Sequence, residues 1–228
     1  MRISFLIAAR NEVGTVCEVL DRIQALSLDA QIIVVDDGSN DGTAEAIERW
    51  SETHGQVVLL RQPERGKGAA IRAAIPHMDG EVAVIQDADM EYDPADVPAL
   101  IEPIERGLAD VVYGSRLAGG RPQRAYLFWH LVGNRFLSLV TNVLYNTTLS
   151  DMETGYKAFR ADALRSLQLT RDDFGIEPEI TGEVCNRGLR VYEVPIAYYG
   201  RTYAEGKKIT WKDGVKALGI LLSVRLRR

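Results

Sequence analysis

Asp87 and Asp89 stand two apart in Gln86-Asp87-Ala88-Asp89-Met90-Glu91-Tyr92-Asp93-Pro94. On an extended chain their carboxylates share one face. At a bend where a strand ends, both can turn toward one ion. Carboxylate oxygens are hard ligands, and a site that keeps water positions open suits Mg²⁺ or Mn²⁺ carrying a diphosphate. The same residues also suit a solvated acidic turn, with Asp93-Pro94 starting a helix. Asp-x-Asp is common on surface loops, so its chemistry depends on what else the chain brings to that place.

Other stretches carry chemistry of the same kind. Arg65-Gly66-Lys67-Gly68 opens a helical pattern, so Lys67 and the first helix amides can face an anion. The stretch lacks the spacing of a P-loop or a dinucleotide fingerprint, and a glycine turn with a solvated lysine fits it equally well. Asn134 and Arg135 lie inside a strongly apolar run. An arginine there must reach a partner or water, which makes it a candidate phosphate ligand. Asp151-Met152-Glu153-Thr154-Gly155-Tyr156-Lys157 is a second polar cluster; its acids suit a general base or a turn-capping role. Residues 198–208 form a basic, aromatic, glycine-hinged loop of the kind that orders over anionic ligands. The three histidines, His54, His77 and His130, fall in or beside helical patterns and read as structural or surface residues. A hydrolase triad is not in view.

The elements that must position these groups alternate. Short apolar, β-branched runs at residues 2–9, 31–35, 56–60, 81–85, 110–113 and 190–195 read as six strands. Helical patterns separate them, starting with one that Asn11 can cap and that carries Val13, Val16, Leu20 and Ile23. Near-continuous apolar strands separated by helices predict a mostly parallel sheet covered on both faces. In such a sheet ligands bind at the carboxyl ends of the strands. That edge collects residues 9–12, 36–39, 65–67, 87–89 and 114–116. The run 126–145 reads as a long core helix or as one partly exposed to lipid or a greasy substrate. The last helical pattern, 211–228, places Val215, Leu218, Leu222 and Arg225 in register and ends in three arginines. It suits a membrane-surface anchor or a plain helix terminus whose cations face the dipole.

Bulk properties narrow the class. The chain has 228 residues, 46% hydrophobic and 26% charged, an ordinary globular composition. A net charge of −5 without a basic, aromatic-interleaved stripe excludes general nucleic-acid binding. Cys17 and Cys185 lie far apart, each in a helical pattern, and read as reduced thiols of a cytoplasmic protein. No apolar run reaches the ~18 residues of a membrane span, and no signal peptide precedes the first strand.

Taken together, Ile7-Ala8-Ala9-Arg10-Asn11-Glu12, the run from Val34 through Asp36-Asp37-Gly38-Ser39 to Thr43, Gly66-Lys67-Gly68 and the Asp87-Ala88-Asp89 stretch resemble the inverting family-2 glycosyltransferases. Gly114-Ser115-Arg116, residues 153–160 and residues 200–208 resemble the branch that glycosylates polyprenyl and dolichyl phosphates. The resemblance implies an α/β GT-A fold over residues 1–210, with residues 211–228 as a basic amphipathic helix. It implies transfer of a hexose from a GDP- or UDP-sugar to a lipid phosphate, with a soluble hydroxyl acceptor as the alternative. Ala8, Ala9, Arg10, Glu12, Asp37, Lys67, Asp87 and Ala88 would bind the nucleotide. Asp87, Asp89 and Glu91 would hold Mg²⁺ or Mn²⁺, Arg116 and Arg135 would receive the acceptor phosphate, and Asp89 and Asp151 join those arginines in the catalytic set. Arg201, Lys207 and Lys208 would cover the donor diphosphate. The expected setting is peripheral, at the inner face of the cell membrane, alone, as a homodimer or with a membrane subunit.

Overall fold

The computed structural model describes residues 1–125, 127–201 and 211–227. Seven strands form one sheet: β1 (Ile3–Ala9), β2 (Ala30–Asp37), β3 (Val57–Gln62), β4 (Val82–Asp87), β5 (Val111–Ser115), β6 (Lys157–Arg160) and β7 (Val191–Pro195). Their order is β3-β2-β1-β4-β6-β5-β7. All neighbours are parallel except β6, which runs antiparallel to both β4 and β5. The helices are α1 (Val16–Ala25), α2 (Thr43–His54), α3 (Lys67–Ala74), α4 (Val97–Glu105), α5 (Phe128–Tyr145), α6 (Ala161–Ser166), α7 (Ile176–Asn186) and α8 (Trp211–Leu226).

Strand alternation sorts the apolar residues into two cores. Ile3, Phe5 and Ile7 of β1 pack with Val34, Val84 and Val112 under α1, α2 and α4. Leu6 faces the other way, with Ile33, Ile85, Val111 and Tyr113, under α3, α6 and α7. The inner strands β1, β2, β4 and β5 are buried nearly throughout because both faces are covered. A third, smaller cluster joins α5 and α8 through Leu137, Met152, Ala217 and Leu221.

The connectivity decides where the site lies. β2 and β4 flank β1 on opposite sides, so the chain reverses direction across the sheet at β1. A crevice opens at such a switch point, beyond the carboxyl ends of the strands. Ala8 pairs with Asp87 there, and Ala9 with Asp36. Because β6 is antiparallel, its first residue, Lys157, lies beside Ile85 and Tyr113 near the same edge. The 151–156 loop that precedes β6 is thereby delivered to the crevice.

Three local readings are corrected. Residues 157–160 form β6, a strand the sequence pattern did not reveal: it is four residues long and opens on a buried lysine. Asn11 does not cap α1. It has a left-handed φ of 54°, its side chain accepts from Asn40 N at 2.9 Å, and the helix starts only at Val16. In α8 the buried face is Ala217, Ile220, Leu221 and Val224, whereas Val215 and Leu222 are exposed. Among the described residues no helix is long and apolar enough to cross a membrane.

Candidate active site

One cavity of about 820 Å³ lies at this edge. Its lining includes Ala8, Ala9, Arg10, Glu12, Asp37, Lys67, Asp87, Ala88, Asp89, Glu91, Arg116 and Arg201. The loops after β1, β2, β4, β5 and β7 thus bring most of the sequence-predicted set together. Asp151 lies directly behind the wall, fully buried. Arg135 is on the exposed side of α5 and does not line the cavity. The apolar run around it is itself partly exposed, so its guanidinium meets water without crossing the core. Lys207 and Lys208 lie outside the described residues.

Three carboxylates converge on one guanidinium. Arg201 Nη2 donates to Asp89 Oδ2 at 2.5 Å and to Glu12 Oε1 at 3.2 Å, and the Arg201 backbone N–H donates to Glu91 Oε1 at 2.7 Å. Tyr198 Oη donates to Glu91 Oε2 at 2.9 Å and Thr15 Oγ1 to Glu12 Oε2 at 3.1 Å, so both glutamates are also held from behind. Burial raises the Asp89 carboxyl above its ordinary value, Glu91 adds to this, and Arg201 opposes it.

Asp87 belongs to a second, deeper group. Its Oδ1 lies 2.7 Å from Lys67 Nζ, which also reaches Glu177 Oε1 at 3.1 Å. Glu177, at the start of α7, pairs in turn with the buried Lys157. Burial works against the charge on Lys67, but Asp87 and then Glu177 outweigh it and hold its pKa above that of an ordinary lysine. Lys67 is therefore an internal counter-ion of Asp87, with its amino group already committed. Gly155 permits the arrangement. A Cβ there would sit 2.8 Å from Lys67 Nζ and 2.9 Å from Asp87 Oδ2. Gly155→Ala is expected to push this pair apart, costing about 1–3 kcal/mol of stability as overpacking does. Thermal unfolding checks it; an unchanged melting temperature would count against the close approach.

Asp37 accepts from the backbone amides of Arg65 and Gly66 at 2.9 and 2.8 Å and from Gln62 Nε2 at 2.6 Å. It pins the loop that starts α3 while still lining the cavity. Gly66 has φ 116°, and a Cβ there would meet Asp172 O at 2.6 Å, so no other residue fits this turn. Arg10 pairs with Glu64 at the rim.

Arg116 is clamped. Its Nε and Nη2 donate to the two oxygens of Asp151, each at 2.7 Å, and its backbone N–H donates to Oδ2 at 2.9 Å. Its guanidinium lies over the Tyr198 ring, 5.1 Å from the centroid. Glu193 holds the other side of the turn by accepting from Ser150 N at 2.9 Å and Asp151 N at 3.2 Å. Asp151 thus spends both oxygens on orienting one arginine. Two residues on, Glu153 lines the cavity, and its Oε1 is shut off from solvent with no hydrogen-bond partner among the described residues. Burial, with help from the charge on Glu177, pushes its carboxyl up to about 7 against Lys157 and Arg116.

Some of the lining had no signal in the sequence. Glu177 read only as a helix start, and His130, set aside as structural, lines the cavity. Tyr92, which accepts from Gly155 N at 3.0 Å and stacks on Tyr156, builds the floor. Only the placement of β6 and α7 shows these roles.

Comparison with known proteins agrees with this geometry. The model of glycosyl transferase family 2 matches residues 4–168. Glycosyltransferase AglJ of Haloferax volcanii is 32% identical over 219 residues, covering 96% of this chain and 69% of its own. An undecaprenyl-phosphate mannosyltransferase of Micrococcus luteus is 31% identical over 220 residues, 91% of this chain and 87% of its own. The crystal structure of glucosyl-3-phosphoglycerate synthase from Mycobacterium tuberculosis, solved with Mn²⁺, UDP and glucosyl-3-phosphoglycerate, superposes with a TM-score of 0.75. That match covers 99% of this chain and 79% of the other at 20% identity, which speaks for a shared GT-A-type fold. The chain belongs to glycosyl transferase family 2 and is a glycosyltransferase.

Proposed function

We propose that the chain is a metal-dependent, inverting glycosyltransferase that moves a hexose from a nucleoside-diphosphate sugar to a polyprenyl phosphate. The observation that carries this reading is the mixed lining of the cavity. Asp37, Asp87, Asp89, Glu91 and Arg201 suit a nucleotide and its diphosphate. Leu117, with Leu127, Phe128 and Leu131 at the start of α5, suits a hydrocarbon. Phe128 is both a wall residue and exposed, so the apolar wall continues onto the outside of α5. There Trp129, Val132, Phe136, Leu139 and Val143 are exposed at spacings of three and four, a single stripe along the helix. Exposed Val215, Leu222 and Leu226 extend the apolar surface on α8. A surface of this kind, with a tryptophan near one end, suits the membrane interface where a polyprenyl phosphate resides. The mannosyltransferase relative, which acts on undecaprenyl phosphate by its name, supports the same acceptor class.

The residues fit a divalent ion. Asp89 and Glu91, with Asp87 behind them, are hard oxygen donors, and Asp89, Glu91 and Glu12 already gather around a cation, the Arg201 guanidinium. Among the described residues no three acid, histidine or cysteine groups stand at ready-made ligand spacing, so water and diphosphate oxygens would complete the shell. When bound, Mg²⁺ or Mn²⁺ would neutralise charge gathering on the departing diphosphate. The protein contributes an arginine fixed by Asp151 for the acceptor phosphate, and Arg201 as a second cation near the diphosphate. Attack by the acceptor oxygen from the face opposite the leaving group inverts the anomeric centre. Asp37, Glu12 and the Ala8-Ala9 backbone are assigned to the nucleoside. Arg135, beside the exposed stripe, is assigned to lipid headgroups at the membrane surface.

The test is a transfer assay with GDP-mannose, UDP-glucose and UDP-N-acetylglucosamine, Mg²⁺ or Mn²⁺, and a short polyprenyl phosphate. Lipid-linked sugar that Asp89→Ala removes supports the reading. Sugar passed only to soluble alcohols would sink the lipid-phosphate assignment. Membrane contact has its own test. Trp129→Ser with Phe136→Ser is expected to weaken co-sedimentation with anionic vesicles at least about tenfold, since each side chain carries roughly 1.5–3 kcal/mol of burial. Unchanged co-sedimentation would refute the docking face. The second reading, a hydroxyl acceptor, is favoured by one feature, a carboxyl in the cavity, that of Glu153, which burial pushes up to about 7.

A further inference from the structure

The two acids of the Asp151-Met152-Glu153 turn have opposite surroundings. Asp151 has both oxygens on Arg116. A proton placed there would break the pair that orients the arginine. Glu153 lines the cavity, and its inner oxygen, Oε1, is closed off from solvent with no hydrogen-bond partner among the described residues. The charged groups around it are Glu177 at the start of α7, Lys157 at the start of β6, Arg116 after β5 and Asp151 on its own loop. Both cations are committed elsewhere: Lys157 donates to Glu177 and to the Thr154 carbonyl, and Arg116 donates to Asp151. Glu153 is therefore a carboxyl in the reaction cavity with no counter-ion of its own, next to the arginine assigned to the acceptor.

We propose that Glu153 is the group that receives the proton of the acceptor's attacking oxygen. The assignment rests on the glycosyl-transfer reading above and names the residue that serves it. The acceptor oxygen bonds to the anomeric carbon. The bond from that carbon to the diphosphate oxygen breaks, and the leaving diphosphate keeps the electron pair. The acceptor's proton passes to the Glu153 carboxylate and later to solvent. With a hydroxyl acceptor this is the hydroxyl proton. With a phosphate monoester it is the remaining acidic proton of the monoanion, whose pKa is near 6. The Glu153 carboxyl, raised to about 7, is matched to that proton. Matching of this kind is what makes proton transfer efficient at neutral pH.

The experiment compares wild type, Glu153→Gln and Glu153→Asp in single-turnover transfer from pH 5 to 9, with nucleotide affinity by calorimetry and melting temperature beside it. Glu153→Gln is expected to lower the transfer rate constant by about 10²–10⁴-fold. It should leave nucleotide affinity within about twofold and remove the acid-side limb of the pH–rate profile. Glu153→Asp should restore part of the rate. The glutamine variant should melt higher than wild type at pH 8, because it removes a buried charge that lacks a partner. A Gln variant that keeps the wild-type rate, or the acid limb, overturns the proposal. If wild type passes sugar only to hydroxyl acceptors, the lipid-phosphate reading fails. The same comparison, run with that acceptor, then decides Glu153. If it passes sugar to no acceptor, hydrolysis of the donor provides the readout, since water too must lose a proton. Hydrolysis unaffected by Glu153→Gln overturns the proposal, and no nucleotide release at all overturns it together with glycosyl transfer.

Discussion

Glu177→Gln lowers the stability of the folded chain by about 3–5 kcal/mol, the cost of breaking a buried ion pair from one side. Glu177 is buried at the start of α7 between Lys67 and Lys157, and Lys157 is fully buried. Glutamine keeps the volume and one acceptor oxygen but removes the negative charge that both ammonium groups share. Asp87 would still partner Lys67 at 2.7 Å. Lys157 would keep the Thr154 carbonyl and its place over the Tyr113 ring, 4.9 Å from the centroid, but no anionic partner. For a chain of this length each kcal/mol moves the melting temperature by roughly 2–4 °C, so a fall of about 10 °C is expected. The pH dependence has a definite sign. Burial pushes the Glu177 carboxyl up, but Lys157 and Lys67 outweigh it and hold it below the ordinary value. A depressed folded-state pKa gives stability that is present above the unfolded value, about 4.3, and is lost as pH falls through the folded one. The gap between wild type and variant should therefore close below about pH 4. A variant that melts within 2–3 °C of wild type at pH 7, a shift worth about 1 kcal/mol, would show that the lysines do not depend on this carboxylate.

Asp89→Asn cuts sugar transfer by at least about 10²–10³-fold, the range seen when one group stabilising the leaving charge is lost. The same change barely touches the fold. Arg201 bridges Asp89, Glu12 and Glu91, so it keeps two carboxylates when one becomes an amide. Asp89 itself is raised by burial, so part of its charge is already disfavoured in the unliganded protein. A melting temperature within about 3 °C of wild type, worth less than about 1.5 kcal/mol, should accompany the lost activity. Mn²⁺ titration followed by electron paramagnetic resonance gives a readout independent of turnover, and the variant should bind the ion more weakly. Full activity with unchanged Mn²⁺ affinity would remove Asp89 from its assigned place.

The sheet edge was legible because its determinants are local. The apolar runs that become β1, β2, β4 and β5 each end in the polar residues that face the cavity, and parallel topology then gathers those ends. Asp37, Asp87, Asp89 and Arg116 reach the cavity by that rule. Groups whose surroundings come from distant segments were not legible. Glu177 meets Lys67 and Lys157 across more than a hundred and exactly twenty positions, respectively, and no pattern along the chain announces either meeting. Asp151 and Glu153 looked equivalent as bases. The side chain that separates them, Arg116, comes from 35 residues away. The helix around Arg135 shows the converse, that an apolar neighbourhood in sequence is not burial: Phe136 and Leu139 beside it are 52% and 59% exposed. Hydrophobic periodicity locates a stripe but does not say whether protein, lipid or solvent covers it.

The guanidinium of Arg201 among Glu12, Asp89 and Glu91 bears on how the site is filled. Three carboxylates gathered at one sheet edge repel one another. Here the polypeptide supplies one counter-ion for the three, so part of the negative charge at the acidic edge is already offset. On the proposed function, an incoming divalent cation would have to compete for these oxygens rather than fall into an open anionic hole. Loading would then be an exchange in which the divalent ion takes the carboxylates and the guanidinium is released beside them, where an anionic ligand could use it.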